Sequence, residues 1–275
     1  MRRRVAFTLG LAGLALAPIG AGAIQFTANL DSIKIEARAG EVVTRNFQLH
    51  LAPGQEKVHF RSRIEDWWQS EDGSQSFYRP PGTLSRSCGP WIELNPVEAA
   101  VDPGGTLSVR ITASVPRGLA PGGYWCVLSV DELPDPLAVP QGVEVRFLSS
   151  ISVGIFVSVE PVRREVEISD VGVAGGELKV RVRNAGNGPL GVEGRVEFIE
   201  PGGSALVATA VVPRATVLTE PVASRILTAR LPDVSTLPSG RYMVRVILDA
   251  GLDHYIGVQK LLEISNEHRR MAPGR

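Results

Sequence analysis

Only two cysteines, Cys88 and Cys126, occur in the 275 residues, so the chain is not a disulfide-dense miniprotein. Aromatic residues make up 6% of it, and basic and acidic side chains balance at 29 each. Zero formal charge removes the electrostatic footprint of a nucleic-acid binder. Glycine and proline are frequent but without a collagen repeat. One long apolar run exists, at the N-terminus, which excludes a polytopic membrane protein. Period-3.6 patterning is almost absent from Ile24 to Ile264, so no helix is expected there. Catalytic signatures are missing too: there is no G-x-S-x-G, H-E-x-x-H, phosphate-binding loop or dinucleotide fingerprint. The sequence is therefore read as non-enzymatic, with no cofactor and no metal site.

The N-terminal run has the build of a secretory signal. Arg2, Arg3 and Arg4 are followed by the apolar stretch Val5–Ala17, and Ala21-Gly22-Ala23 is a small-x-small cleavage site. Residues 1–23 are expected to be removed, leaving no stable membrane span and a mature chain of 26 basic and 29 acidic residues, net −3. Export places Cys88 and Cys126 in an oxidising compartment, where a disulfide between them is expected.

The mature chain is a succession of short alternating runs bounded by Gly and Pro. In the first half they are Ile33–Ala37, Val42–Leu51, Val58–Trp68, Trp91–Leu94, Thr106–Val115, Tyr124–Val130 and Val143 to about Val159. In the second they are Val166–Val171, Glu177–Asn184, Gly191–Ile199, Leu206–Val212, Ser224–Leu231, Arg241–Leu248 and His254–Ile264. Seven strands twice over predict an all-β protein of two β-sandwich domains, residues 24–160 and 161–265, with a polar tail at 266–275. The forms Leu119-Ala120-Pro121-Gly122-Gly123-Tyr124 and Leu237-Pro238-Ser239-Gly240-Arg241-Tyr242 echo each other. Tyr124 and Tyr242 are thus candidate corner tyrosines of immunoglobulin-like sandwiches.

The run 143–159 is far longer than a usual strand. Its odd positions, Val143, Val145, Phe147, Ile151 and onward to Val159, form a nearly unbroken apolar face. Either all of it packs into its own sandwich, or part is an edge whose apolar face and spare backbone groups await another chain. His50 and His59 flank the Pro53-Gly54 turn, which would make them neighbours across a hairpin. The acid pairs Glu65-Asp66 and Glu71-Asp72 surround Trp67-Trp68 and are assigned to a hairpin turning at Asp72-Gly73.

Asp66-Trp67, Asp72-Gly73, Pro81-Gly82-Thr83, Arg86-Ser87, Pro90-Trp91-Ile92, Asn95-Pro96, Pro103-Gly104, Val115-Pro116 and Gly123-Tyr124 follow one another in an order that resembles the exported PapD-like, pilus-chaperone-related proteins of bacteria. Val182-Arg183-Asn184-Ala185-Gly186-Asn187 and the Leu237–Tyr242 turn are similar to the second domain of that group. The resemblance implies two immunoglobulin-like domains and a periplasmic location. It implies a non-catalytic task, binding pilin-like or surface subunits by donation of the first domain's last strand. Val143, Val145, Phe147 and Ile151 would be the donor side chains. The family grips the subunit's terminal carboxylate with an Arg on the first strand and a Lys on the last. Here Ser32 stands at the first position and Ser152 or Gly154 at the second, with Lys34, Arg45 and Arg146 as substitutes. The alternative is a structural or adhesive envelope module that uses exposed Trp67 or Trp68 as contacts. An open edge strand would also suit pairing with a second copy.

Overall fold

The computed structural model describes residues 26–54, 56–134, 148–221, 223–265 and 267. Residues 1–23, expected to be a signal segment, most of the tail and the stretch 135–147 therefore lie outside the described residues. So do Val143, Val145, Phe147 and Arg146.

Ten strands build the first sandwich: β1 (Phe26–Ala28), β2 (Ser32–Ala37), β3 (Val42–Leu51), β4 (Val58–Gln69), β5 (Gln75–Tyr78), β6 (Ile92–Asn95), β7 (Glu98–Val101), β8 (Thr106–Ser114), β9 (Gly122–Leu133) and β10 (Ser150–Val159). One sheet has the order β1-β3-β8-β6. The other has the order β2-β10-β9-β4-β5, with β7 paired to β4. Seven strands build the second sandwich: β11 (Val166–Ala174), β12 (Glu177–Asn184), β13 (Leu190–Ile199), β14 (Leu206–Val217), β15 (Ser224–Arg230), β16 (Gly240–Asp249) and β17 (Ile256–Ile264). Its sheets are β11-β12-β15 and β14-β13-β16-β17. The protein is all-β, with two immunoglobulin-like sandwiches in tandem.

Each sandwich has its own core, built by the residues whose alternation points inward. Ile33, Ile35, Phe47, Leu49, Val109, Ile111, Leu128, Ile155 and Val157 fill the first. Leu178, Val180, Val192, Phe198, Val212, Leu227, Val244 and Val246 fill the second. Tyr124 donates its hydroxyl to the Ala120 carbonyl, and Tyr242 donates to that of Pro238, each at 2.9 Å. The expected Cys88–Cys126 bridge is present, with both residues fully buried.

The first chain segment changes sheets. β1 pairs antiparallel with β3, whereas β2 pairs parallel with β10. Asn29, between them, is held to Gln48 twice: its backbone N–H donates to the Gln48 carbonyl, and its side-chain oxygen accepts the Gln48 N–H. This crossing sets where β2 can begin.

His50 and His59 are not hairpin neighbours. β3 and β4 belong to opposite sheets, so the Pro53-Gly54 turn crosses the sandwich, and His50 instead contacts Thr106 across β8. The Asp72-Gly73 hairpin is present: Gln69 pairs with Gln75, and Gly73 takes the positive φ of 93° that the turn requires.

Candidate functional site: an open strand edge beside an interdomain cleft

β10 carries two kinds of flank. Along one side it pairs antiparallel with β9 over its whole length, Ser150 to Val159. Along the other, β2 covers only Gly154–Val159, because β2 starts at Ser32, opposite Gly154. Among the described residues nothing pairs with that flank at Ser150–Val153. The strand is thus neither wholly sealed nor wholly open. Val153, Ile155, Val157 and Val159 are buried in the first core. Ile151 is half-buried and rests against that core at the start of the open stretch.

The opposite face of β10 presents Ser152, Gly154, Phe156 and Ser158 to a cleft of about 720 Å³ between the two sandwiches. Ser32, Lys34 and Glu36 of β2 continue this floor, and Gly191, Glu193, Arg214 and Thr216 of the second sandwich form the facing wall. The pairing of Ser32 with Gly154 brings together two positions at which the resemblance implies cations, and neither is basic. Arg45 does not replace them: it lies on β3, in the opposite sheet, opposite Ile111. Lys34 does line the cleft. Arg214 is paired with Glu193 at 3.2 Å and Arg164 lies 4.0 Å from Glu36, whereas Lys34 has no ion-pair partner among the described residues.

An aromatic cluster forms the back of this floor. Trp67, Trp125 and Val127 pack together with Leu218 of the second sandwich, and Trp68 and Phe156 border them. The Trp125 Nε1–H donates to the Trp67 carbonyl at 3.1 Å. β9 is consequently covered on both faces, which explains its unbroken burial from Gly122 to Val130. Trp67 is only 5% exposed and Trp68 is half-buried. The expectation of Trp67 or Trp68 as an exposed contact is therefore corrected: the tandem tryptophans serve the domain joint.

The β4–β5 hairpin completes that joint. Its tip reaches the second sandwich, where the Ile226 N–H donates to the Glu71 carbonyl at 2.8 Å and the Glu71 carboxylate pairs with Arg181. Arg225 lies against Gly73 so closely that a Cβ there would fall within 2.0 Å of both guanidinium Nη atoms. Burial lowers the Arg225 pKa, partly offset by Asp72. Gly73 is needed for its φ, and a Cβ there would displace the guanidinium at the flexible end of Arg225. Gly73→Ala, combined with Glu71→Ala, is expected to free the hairpin and raise the radius of gyration in small-angle scattering, with each core left intact.

Next to the cluster lies a charged network. Glu65 is 4% exposed, and its carboxylate accepts from Arg79, from the Ser129 hydroxyl at 2.7 Å and from Arg63 at 3.0 Å. Burial raises its pKa, but the hydrogen bonds from Arg79, Ser129 and Arg63 outweigh this and hold it below the ordinary 4.5. A depressed folded-state pKa gives stability that is present above the unfolded value and lost as pH falls through the folded one. Glu65→Gln is therefore expected to flatten the fall in stability below about pH 4.5, measured by denaturant titration at several pH values.

No protein-family model matches this sequence, and no curated protein matches it. Among solved structures, the chain is similar to the class 5 fimbrial chaperone CfaA, with 12% identity, 86% of this chain and 98% of that one covered, and a TM-score of 0.49. It is similar to the CupB2 chaperone of Pseudomonas aeruginosa, with 14% identity, coverage of 86% and 100%, and a TM-score of 0.48. It is also similar to the SafB chaperone of Salmonella enterica, solved with the SafA pilin, with 10% identity, coverage of 87% and 98%, and a TM-score of 0.47.

Proposed function

We propose that this protein is an exported, non-catalytic periplasmic chaperone that holds surface or pilus subunits by β-strand pairing on β10. The observation that carries this reading is the unpaired flank at Ser150–Val153, next to a strand whose inward face is apolar throughout. Backbone groups on such a flank supply hydrogen bonds, and alternating side chains supply register. Ile151 begins the donor face, and the same parity continues in sequence through Phe147, Val145 and Val143. Each donor side chain buried in a subunit would contribute about 1.5–3 kcal/mol. Lys34 is the group placed to receive a subunit's carboxylate in place of the family's basic pair.

Periplasmic expression of a tagged protein tests the reading. A small β-rich subunit is expected to co-purify, and Val145→Glu with Phe147→Glu, or Ile151→Arg alone, is expected to reduce its recovery at least about tenfold. Undiminished recovery in both variants overturns strand donation. A symmetric dimer lost in the same variants would assign the edge to self-pairing instead.

A further inference from the structure

The β1-β3-β8-β6 sheet is the one in the first sandwich that does not contain β10. Alternation along β3 and β8 turns Phe47, Val109 and Ile111 into the core, so the residues between them face outward. Toward either end of this outer face the side chains satisfy one another across the strands. His50 Nδ1 meets the Thr106 hydroxyl at 3.2 Å, and the Thr44 and Thr112 hydroxyls lie 3.4 Å apart.

The middle rung is different. Arg110 of β8 stands between Asn46 of β3 and Asn95 of β6. These side chains, with Ser108 and the ring of Pro96, line a hollow of about 370 Å³. Among the described residues Arg110 has no ion pair, and Asn46, Asn95 and Ser108 make no side-chain hydrogen bond. Glu93, on the next rung opposite Thr112, forms no ion pair with Arg110. A guanidinium, a pair of carboxamides and a hydroxyl thus border one space without being bonded to one another.

The chemistry of the set defines what fits. A guanidinium presents a planar fork that a carboxylate meets with parallel hydrogen bonds. Each carboxamide both donates and accepts, as does the serine hydroxyl, and such groups match ring hydroxyls, which also do both. A single cation balances a single negative charge, and Glu93 on the next rung disfavours another, so a monoanion fits better than a phosphate dianion. The volume lies at the small end of the range for ligand sites. We propose that this hollow binds a sugar acid, with Arg110 holding its carboxylate and Asn46, Asn95 and Ser108 its hydroxyls. The site is separate from the strand pairing on β10.

Nuclear magnetic resonance titration of the isotope-labelled protein with D-glucuronate, at constant ionic strength, tests this. Saturable shifts are expected at Asn46, Asn95, Ser108 and Arg110. D-Glucose lacks the carboxylate and acetate lacks the hydroxyls, and each is expected to bind at least about 10-fold more weakly, as is inorganic phosphate. Arg110→Gln is expected to lose glucuronate, and Arg110→Lys, which keeps the charge but not the fork, to weaken it at least about 10-fold. Asn46→Ala with Asn95→Ala is expected to weaken glucuronate while leaving the residual acetate affinity unchanged. All these positions are exposed, and unchanged core resonances show that each variant is folded. Ile151→Arg is expected to bind glucuronate as the wild type does. Absence of saturation, the same shifts in Arg110→Gln, or acetate or phosphate bound as tightly as glucuronate overturns this inference and leaves the strand-pairing reading standing.

Discussion

Replacing Cys88 and Cys126 together with Ser is expected to lower the stability of the first sandwich by about 4 kcal/mol. The bridge spans a sequence separation of 38 residues, and in the chain-entropy model a closed loop of that size restricts the unfolded chain by this amount. The native side of the balance adds to the effect, because both sulfurs sit in a fully buried core. The bridge also holds the segment 86–88 where β4 no longer accompanies β9. β4 pairs with β9 only as far as Glu65 opposite Val127. Beyond that point the Trp125 N–H donates to the Arg86 carbonyl, and the Cys88 N–H donates to the Trp125 carbonyl. All four tryptophans lie in the first sandwich, so the shift of the fluorescence midpoint in denaturant reports on this domain. Unchanged midpoints in oxidised, reduced and serine forms would show that the bridge contributes nothing.

The second large effect is expected from Asp66→Ala, about 3–5 kcal/mol. Asp66 is fully buried and carries the same loop from the β4 side. Its carboxylate accepts the Leu84 N–H at 2.8 Å, the Gly82 N–H at 3.1 Å and the Ser87 hydroxyl. Alanine would leave the Leu84 N–H and the Ser87 hydroxyl without this acceptor, while the Gly82 N–H keeps Ser87 Oγ at 3.2 Å; each orphaned donor costs about 1–3 kcal/mol. Asn keeps one acceptor oxygen, so Asp66→Asn is expected to cost about half as much. Asp66 and the disulfide secure one segment, so the triple variant is expected to lose less than the sum of the separate losses. Strict additivity in denaturant titrations would show the two attachments to be independent.

Much of the fold was legible because burial on one face of a strand writes itself into period-2 alternation. Thirteen of the fourteen runs read from the sequence correspond to a strand or the greater part of one; of the run 143–159 the strand covers Ser150–Val159, and 143–147 lie outside the described residues. Three strands escaped, for identifiable reasons. β1 and β7 are three and four residues long, too short to alternate visibly. β5 is exposed at all four positions, so no face of it is marked by burial. The acid pairs were legible only as turn residues. That Asp66 cradles a loop and that Glu71 reaches Arg181, 110 positions later, depends on packing that no local pattern encodes.

The candidate site was legible in part. Alternation identified the β10 face, and Ser32 with Ser152 or Gly154, at the positions where the resemblance implies cations, were visible as non-basic residues. The length of the unpaired flank was not readable, since it depends on where another strand begins. Trp67 and Trp68 misled for a related reason: a surface face of one sheet becomes interior once a second domain leans on it.

The sheet change at Asn29 acts as a ruler. The crossing decides at which residue the protein stops shielding its own backbone, so the number of bare rungs on β10 is written near Asn29 rather than in β10 itself. Relocating the crossing by a few residues toward the N-terminus would cap those rungs with native sequence while both hydrophobic interiors stayed as they are.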